Sequence, residues 1–593
     1  MSTRPVRIAN CSGFFGDRVS AAAQLLDGCE PIDVLTGDWL AELTMSILAK
    51  SRRRGRAGYA GTFITQMEHV LGRCHERGVK VVSNAGGIDP RGCADRVRQI
   101  AERFGIDVTL AVVEGDDLTE RIDELRSAGE AFYHLDTGEA WIGDSKEVVA
   151  ANAYLGGHGI TSALRAGADM VITGRVADAA VVSGAAAWWH GWTADDFDAL
   201  AGATVAGHAI ECGTQVTGGN FAFFTEVADL TEPGFPIAEI DSDGSSVITK
   251  AAGTGGAVTV DTVTAQLLYE IAGPRYPVPD VVARFDTTQL RQLGDDRIEI
   301  SATAGEPAPA QAKALLTYPG GFRNSMTLVI TGIDRKAKAE LAERAVWAQI
   351  DGGRSRFAES AVEVVGAKLD SAAPDDQSYL RISVADPDSA AVGREFSSAV
   401  VATALASFPG LYLTTPPGSA AEFLVGWPTL IDVSRLRPRV EVGGNEVDIA
   451  SPTRTRAVAV DQPRNTLAAD ECDDADLTVI DVGGYVGARS GDKGGNANLG
   501  LWVRDERHAP LLDYLTAPHR LAALLPEFRG HEIRVYPLPN LRAVNVVISG
   551  LLGTGVSASL REDPQAKSLG ERFRAVRTAV PAALLPELIA TEA

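Results

Sequence analysis

Several things this sequence lacks bound its function before any motif is read. No uninterrupted apolar run reaches the ~18 residues that a membrane-spanning helix needs. The start, Met1 to Arg7, leads into a strand-like segment without the apolar stretch of a secretory leader. Both absences point to the cytoplasm and away from a membrane partner. Cysteine is scarce and scattered: Cys11, Cys29, Cys74, Cys93, Cys212 and Cys472 contain no C-x-x-C pair. That argues against a zinc ribbon or a disulfide framework and fits reduced thiols. Positive charge is short, with 55 Lys and Arg against 78 Asp and Glu, a net charge of −23. A field of that sign repels phosphate backbones, so nucleic acid is not an expected partner. Nucleotide fingerprints are missing as well. The first strand runs into Asn10-Cys-Ser-Gly-Phe-Phe-Gly-Asp17, two glycines without G-x-G-x-x-G spacing, and no G-x-x-x-x-G-K-[ST] loop occurs. Neither an NAD nor an ATP site is expected.

What is present is an ordinary globular composition, 45% hydrophobic and 22% charged, which argues against disorder. At 593 residues the chain exceeds a single core, so three or four domains are expected. Its 61 glycines recur at the ends of apolar runs, as turns after strands do. The one basic run, Lys50-Ser-Arg-Arg-Arg-Gly-Arg56, reads either as a solvated helix end or as an anion or subunit contact.

Residues 1–240 alternate short apolar strands (6–10, 32–35, 79–83, 108–113, 170–173) with helices of three- and four-residue apolar spacing, as at 94–104 and 118–128. The predicted fold is α/β, a doubly wound, mainly parallel sheet domain followed by smaller α+β domains. Residues 241–325 read as a strand-rich elaboration of the main part and 326–450 as an α+β domain. The latter ends in a hairpin across Gly443-Gly-Asn445. The polar stretch 451–476 reads as a linker, and 477–593 as a compact C-terminal α+β unit.

Polar residues gather where strands should end, the edge at which open α/β sheets bind ligands. Candidates to hold a substrate there are Asp38 in Thr36-Gly-Asp38, Asn84 and Asp89 in Ser83-Asn-Ala-Gly-Gly-Ile-Asp-Pro90, and Arg175 with Asp178 in Thr173-Gly-Arg-Val-Ala-Asp178. Arg175 reads either as a fixed cation for a carboxylate or phosphate, or as an Arg–Asp tie between strand and helix. The densest cluster is Gly207-His-Ala-Ile-Glu-Cys-Gly-Thr-Gln-Val-Thr-Gly-Gly-Asn-Phe221. His208 and Glu211, at i and i+3, share a face if helical and suit an acid/base pair or two metal ligands. Cys212 is a nucleophile candidate if a helix N-terminus or His lowers its pKa, and an inert core thiol otherwise. Gln215 and Asn220 suit hydrogen bonds to a substrate. In the C-terminal unit, Gly487-Ala-Arg-Ser-Gly-Asp-Lys-Gly-Gly-Asn-Ala-Asn498 reads as a glycine-rich binding loop in which Arg489, Asp492, Lys493 and Asn496 would hold an anion. The alternative is a tight turn with an Asp–Lys pair. His158, between glycines, is a further candidate for the same cleft.

Taken in order, Gly13-Phe-Phe-Gly-Asp17, Leu35-Thr-Gly-Asp38, Ser83-Asn-Ala-Gly-Gly87, Ile172-Thr-Gly-Arg-Val-Ala-Asp178, Glu211-Cys-Gly-Thr-Gln-Val-Thr-Gly-Gly219 and Arg489-Ser-Gly-Asp-Lys-Gly494 resemble the AtuA-type acyclic terpene utilisation family. Residues 6–450 are similar to its main part, and 477–590 to the small ferredoxin-fold unit that follows it in longer members. The resemblance implies a place in the breakdown of acyclic terpenes such as citronellol and geraniol, beside acyl-CoA dehydrogenase, carboxylase and hydratase partners. It carries over motif positions and no assigned catalytic residue. The expectation is an enzyme acting on a branched acyl-CoA or carboxylic acid in a lyase, hydratase or hydrolase step, with CoA present as part of the substrate and the chain a homo-oligomer. A non-catalytic subunit of an acyl-CoA pathway complex and a metal-dependent phosphohydrolase stand as alternatives.

Overall fold

The structure, a computed structural model, describes residues 4–28, 30–370, 373, 375–464 and 476–585. Cys29, Cys472 and residues 465–475 of the expected linker lie outside the described residues. The chain forms two compact units: residues 1–316, 427–551 and 566–593 make the first, and 317–426 with 552–565 the second.

The first unit is built on one large sheet. Its centre is five strands, β1 (Val6–Asn10), β2 (Val34–Gly37), β3 (Lys80–Ser83), β4 (Leu110–Glu114) and, after the short β5 (Ala150–Ala153), β6 (Met170–Thr173). They lie side by side in the order β1-β2-β3-β6-β4, all parallel. Nearly every residue in them is buried, as strands covered on both faces must be. Helices α1 (Ala21–Asp27), α2 (Glu42–Arg53), α3 (Gly61–Arg77), α4 (Pro90–Phe104) and α5 (Ile122–Ser127) come from the first crossovers. Leu25, Met67, Val97 and Ile100 of α1, α3 and α4 pack on Leu35, Val81, Val112 and Ile172. The opposite face is covered by α6 (His158–Arg165), α7 (Ala180–His190) and α8 (Phe197–Glu211), where Ile160, Val181, Ala185, Val205 and Ala209 meet Ile8, Val34, Val82 and Val113. The sheet is thus doubly wound. It is parallel only at its centre, and both wings are antiparallel. Strands β7 (Pro236–Ile240), β8 (Ser246–Lys250) and, from farther along the chain, Gln289–Gly294 and Arg297–Ser301 extend it beyond β1. The hairpin Arg439–Val442/Asn445–Val447 extends it beyond β4. The basic run falls at the end of α2, with Lys50, Arg52 and Arg53 in its last turn and Arg52 bonded to the Ile88 carbonyl.

The C-terminal part of this unit is a four-stranded antiparallel sheet in the order Val486–Lys493, Asn496–Val503, Ala543–Ile548, Ile533–Leu538. The expected glycine-rich loop at 487–498 is therefore a β-hairpin, turning at Gly494-Gly495. Its glycines serve close packing: a Cβ on Gly487 would strike Trp502, one on Gly491 would lie 2.6 Å from the Tyr269 ring, and Gly500 sits against Leu268. Tyr269 follows helix α9 (Val260–Leu267), which is how the C-terminal sheet meets the main domain.

The second unit is α+β. Strands Glu359–Gly366 and Gln377–Asp386 pair antiparallel with each other, and the latter with residues 322–331. Ala339, Ala342, Val346 and Phe396 of its helices pack on Leu328, Ile330, Leu380 and Ile382. No helix among the described residues is long and apolar enough to cross a membrane.

Candidate functional site

Parallel strands deliver their carboxyl ends to one edge, and the polar motifs stand on the loops that leave it. Asn10, at the end of β1, donates through Nδ2 to the carbonyls of Ser12 (2.8 Å), Ile210 (2.7 Å) and Glu211 (3.1 Å). It so fastens the first loop to the last turn of α8. Gly13 completes the junction, since a Cβ there would collide with the Cys212–Gly213 backbone. Asp38, past β2, accepts from Asn84 Nδ2 (2.5 Å), while Asn84 Oδ1 accepts from Trp39 N (2.8 Å). Past β6, Arg175 Nη1 donates to Asp178 Oδ1 (2.5 Å) and to the Leu40 carbonyl (3.3 Å), and its guanidinium lies 4.1 Å over the Tyr154 ring. Arg175 is only 3% exposed. It is first a tie among three loops. Burial, together with the charges of Asp178 and Glu211, pushes the Asp38 carboxyl well above the usual range, with Arg175 and Asn84 opposing.

From Leu200 on, helix α8 is buried on every side, and small residues let it approach its neighbours: Gly202 abuts Gly244 and Gly207 abuts Ala179. Its last turn carries His208 and Glu211 on one face, Nδ1 to Oε1 at 2.9 Å. That contact is not an ion pair. Burial lowers the His208 imidazole to about 4, helped by the Lys493 charge. Burial, Asp178 and Glu270 push Glu211 well above a normal carboxyl, with Lys493 and Arg175 opposing. A neutral imidazole therefore faces a carboxyl that holds its proton more tightly than usual. Beyond that contact, neither His208 Nε2 nor Glu211 Oε2 has a hydrogen-bond partner among the described residues, although both atoms are buried. Tyr276 and Phe285 pack on the imidazole, centroids 5.0 and 5.5 Å away.

The C-terminal hairpin supplies positive charge. Arg489 bonds Gln215 Oε1 and the Asn220 carbonyl (3.1 Å) and lies 4.5 Å over the Tyr269 ring. Lys493 lies 5.9 Å from the Tyr276 ring centre. Lys567, a cation that sequence reading passed over, bonds the Tyr269 hydroxyl and stands 3.5 Å from Glu270.

Asp38, Asn84, Arg175, Asp178, His208, Glu211, Cys212, Gln215, Arg489 and Lys493 thus belong to one connected set. Other candidates are placed differently. Asp89 caps α4 by accepting from Gly92 N (3.0 Å). Asn496 pins the hairpin turn to Asp136 (2.6 Å) and Gly550 (2.8 Å). Asn220 offers its backbone carbonyl to Arg489 rather than its side chain. Strand alternation puts Asp492 on the face of Ser490, which bonds the Ala566 carbonyl, opposite to Arg489 and Lys493. His158 Nε2 lies 3.0 Å from buried Asp280, a separate pair. Cys212 needs a correction of chemistry. It caps the C-terminal end of α8 and opens no more than the single 3₁₀ turn Gly213–Gln215, without a side-chain cap bond, and burial with the Glu211 and Glu270 charges pushes its thiol up. A thiolate at neutral pH is not what this setting gives.

Asp116, after β4, repeats the pattern of a glycine and a carboxylate past a strand and was passed over in sequence. Its Oδ2 accepts from Arg175 N (2.9 Å) and Asn152 Nδ2 (2.8 Å), and burial raises its carboxyl to about 7. Because the folded group holds its proton more tightly than the unfolded one, stability falls as pH rises from ~4 to ~7. Asn at 116 keeps one oxygen for both bonds. Asp116→Asn is expected to remove this slope and to be more stable than the unaltered chain at pH 7, by on the order of 1–4 kcal/mol, with the two alike near pH 4. Urea unfolding at pH 4, 5.5 and 7 checks it.

Among the described residues no group of three or more His, Cys, Asp or Glu side chains is arranged to hold a metal ion. A search of curated proteins and a search of solved structures return no match to the chain. Two family profiles do match: acyclic terpene utilisation family protein AtuA over residues 6–442, and the AtuA ferredoxin-like domain over residues 482–578. The first covers most of the sequence and every loop of the sheet edge described above, and the second covers the hairpin that brings Arg489 and Lys493. The chain belongs to the acyclic terpene utilisation family, AtuA, and carries that family's ferredoxin-like domain.

Proposed function

We propose that the chain is an enzyme of acyclic terpene or branched acyl-CoA breakdown, acting on an acyl-CoA or related carboxylic acid in a hydratase, lyase or hydrolase step. The observation that carries this reading is the buried pair His208–Glu211, in which His208 Nε2 and Glu211 Oε2 are left without partners among the described residues. An unsatisfied buried polar atom costs about 1–3 kcal/mol, and groups kept so are a mark of a place where a ligand supplies the missing bonds. A protonated Glu211 donates a proton and a neutral His208 accepts one, the two capacities that water addition, elimination or thioester cleavage needs. Lys493, whose charge acts on both members of the pair, and Arg489 and Lys567 on the neighbouring Tyr269 are cations suited to the anionic part of such a substrate.

A thermal-shift panel tests binding, with free CoA, branched and straight acyl-CoAs, geranoyl- and citronelloyl-CoA, the free acids, polyphosphate, Mg²⁺, Mn²⁺ and Zn²⁺. A ligand at 100 times its Kd stabilises the native state by about 2.7 kcal/mol. A rise in melting temperature with acyl-CoA and not with free CoA is expected. No rise with any ester or acid counts against the enzyme reading and favours a non-catalytic subunit of a pathway complex. A rise with polyphosphate that requires a divalent ion favours a phosphohydrolase.

A further inference from the structure

We propose that Glu270 is a working carboxylate of the His208–Glu211 site and that Asn498, from the C-terminal sheet, positions it; the first half rests on the acid–base reading above. Helix α9 ends at Leu267, and three residues later Glu270 stands at φ 57°, in the left-handed region that side chains other than glycine and asparagine rarely adopt. A glutamate persists there only where its surroundings hold it. The hold is visible on both sides of the residue. Asn498 Oδ1 accepts from Glu270 N at 2.8 Å. Asn498 Nδ2 donates to Asn545 Oδ1 and to the Ile271 carbonyl (3.4 Å), and Asn545 Nδ2 donates to the same carbonyl at 3.1 Å. Both asparagines are fully buried on adjacent strands of the C-terminal sheet, and both spend their amides on the backbone that flanks Glu270. Gly491 and Gly500 let that sheet come close enough, against Tyr269 and Leu268.

The clamp has a chemical result. Lys567 Nζ lies 3.5 Å from Glu270 Oε1, and Glu270 Cγ packs on Gly491, between Arg489 and Lys493 of the hairpin, where a Cβ would lie 3.2 Å from it. From there its charge is among the causes that hold Glu211 and Cys212 protonated. The C-terminal domain thereby does more than supply cations. It also holds a second carboxylate against Gly491, between Arg489 and Lys493.

Cys212 reports this without any substrate, because the Glu270 charge is one of the causes that hold its thiol up. The experiment is the rate of iodoacetamide labelling at Cys212, read by mass spectrometry between pH 7 and 9 on the full chain. Cys11, Cys74 and Cys93, all buried, report integrity in the same samples. Thiolate fraction changes about tenfold per pKa unit below the pKa. Glu270→Gln is expected to label at Cys212 about threefold faster or more. Asn498→Ala is expected to do the same, and the double variant to label no faster than Glu270→Gln alone. If Asn498→Ala exposes the other three cysteines, Asn545→Ala is read in its place. Unchanged labelling in Glu270→Gln removes Glu270 from the site, and a gain there without one in the asparagine variant removes the positioning role. Failure of the unaltered chain to act on any thioester would count against the acid–base reading and leave this result standing on its own.

Discussion

Glu211→Gln is expected to lower turnover of an acyl thioester by roughly 10²- to 10⁴-fold, the usual contribution of a positioned general acid, with KM changed little. Glutamine keeps the size of the side chain and resembles the protonated carboxyl in charge, so folding is expected to hold at neutral pH. What it cannot do is give a proton. The pH profile separates this from a packing defect. Burial, Asp178 and Glu270 hold the Glu211 proton to well above the normal carboxyl range. Activity that uses the acid form is full below that raised pKa and falls as pH rises through it. The residual activity of Glu211→Gln is expected to lack that falling limb. A variant that keeps full turnover, or keeps the limb, assigns the acid to another group.

Arg175→Ala is expected to cost stability before it costs binding. The guanidinium is buried, and it compensates Asp178 directly and Asp38 through space. Removing one partner of a buried pair leaves the other charge stranded, at about 3–5 kcal/mol. Asp178 is 31% exposed, so the lower end, about 3 kcal/mol, is expected here. The deficit is expected to be no smaller at pH 7 than at pH 5, because Arg175 opposes the upward shift of the Asp38 carboxyl and its loss lets that shift grow. Asp178→Asn in the same chain is expected to recover part of it. Urea unfolding of the single and double variants at both pH values measures this. A loss below about 1 kcal/mol with a large rise in KM would instead make Arg175 a substrate clamp, the other reading its sequence position allows.

The parallel core is legible because buried strands make short apolar runs closed by glycine and a polar residue, as at Ile172-Thr-Gly-Arg175. The sheet edge, and most of the residues on it, follow from that pattern alone. Helix α8 is harder. Apolar and small residues surround it, so it has no amphipathic period, and only the i, i+3 spacing of His208 and Glu211 marks its last turn. The antiparallel wings are not legible, because strands such as Arg297–Ser301 pair with β8 fifty residues away and nothing local names the partner. The hairpin at 487–498 misleads for a related reason. Glycines that look like a loop stand in strands where Trp502, Tyr269 and Leu268 press against the backbone. Glu270 and Lys567 carry no signal at all. Their place in the site depends on a contact between segments more than two hundred residues apart, made by Asn498 and Asn545. Asp116 was within reach, since Gly115-Asp116 after a strand matches Gly37-Asp38.

The most direct measurement is the mass of an acyl thioester after incubation with the protein in D₂O, with geranoyl- and citronelloyl-CoA and straight-chain esters in parallel. Addition of water, loss of water, deuterium gained at carbon or release of free CoA each leaves its own mass, so one spectrum reads hydratase, lyase and hydrolase chemistry together. A change of mass in at least one ester, present with the unaltered chain and lost with Glu211→Gln, is the predicted result. Every ester recovered unchanged and without deuterium would contradict the assignment of His208 and Glu211 as an acid–base pair acting on acyl thioesters.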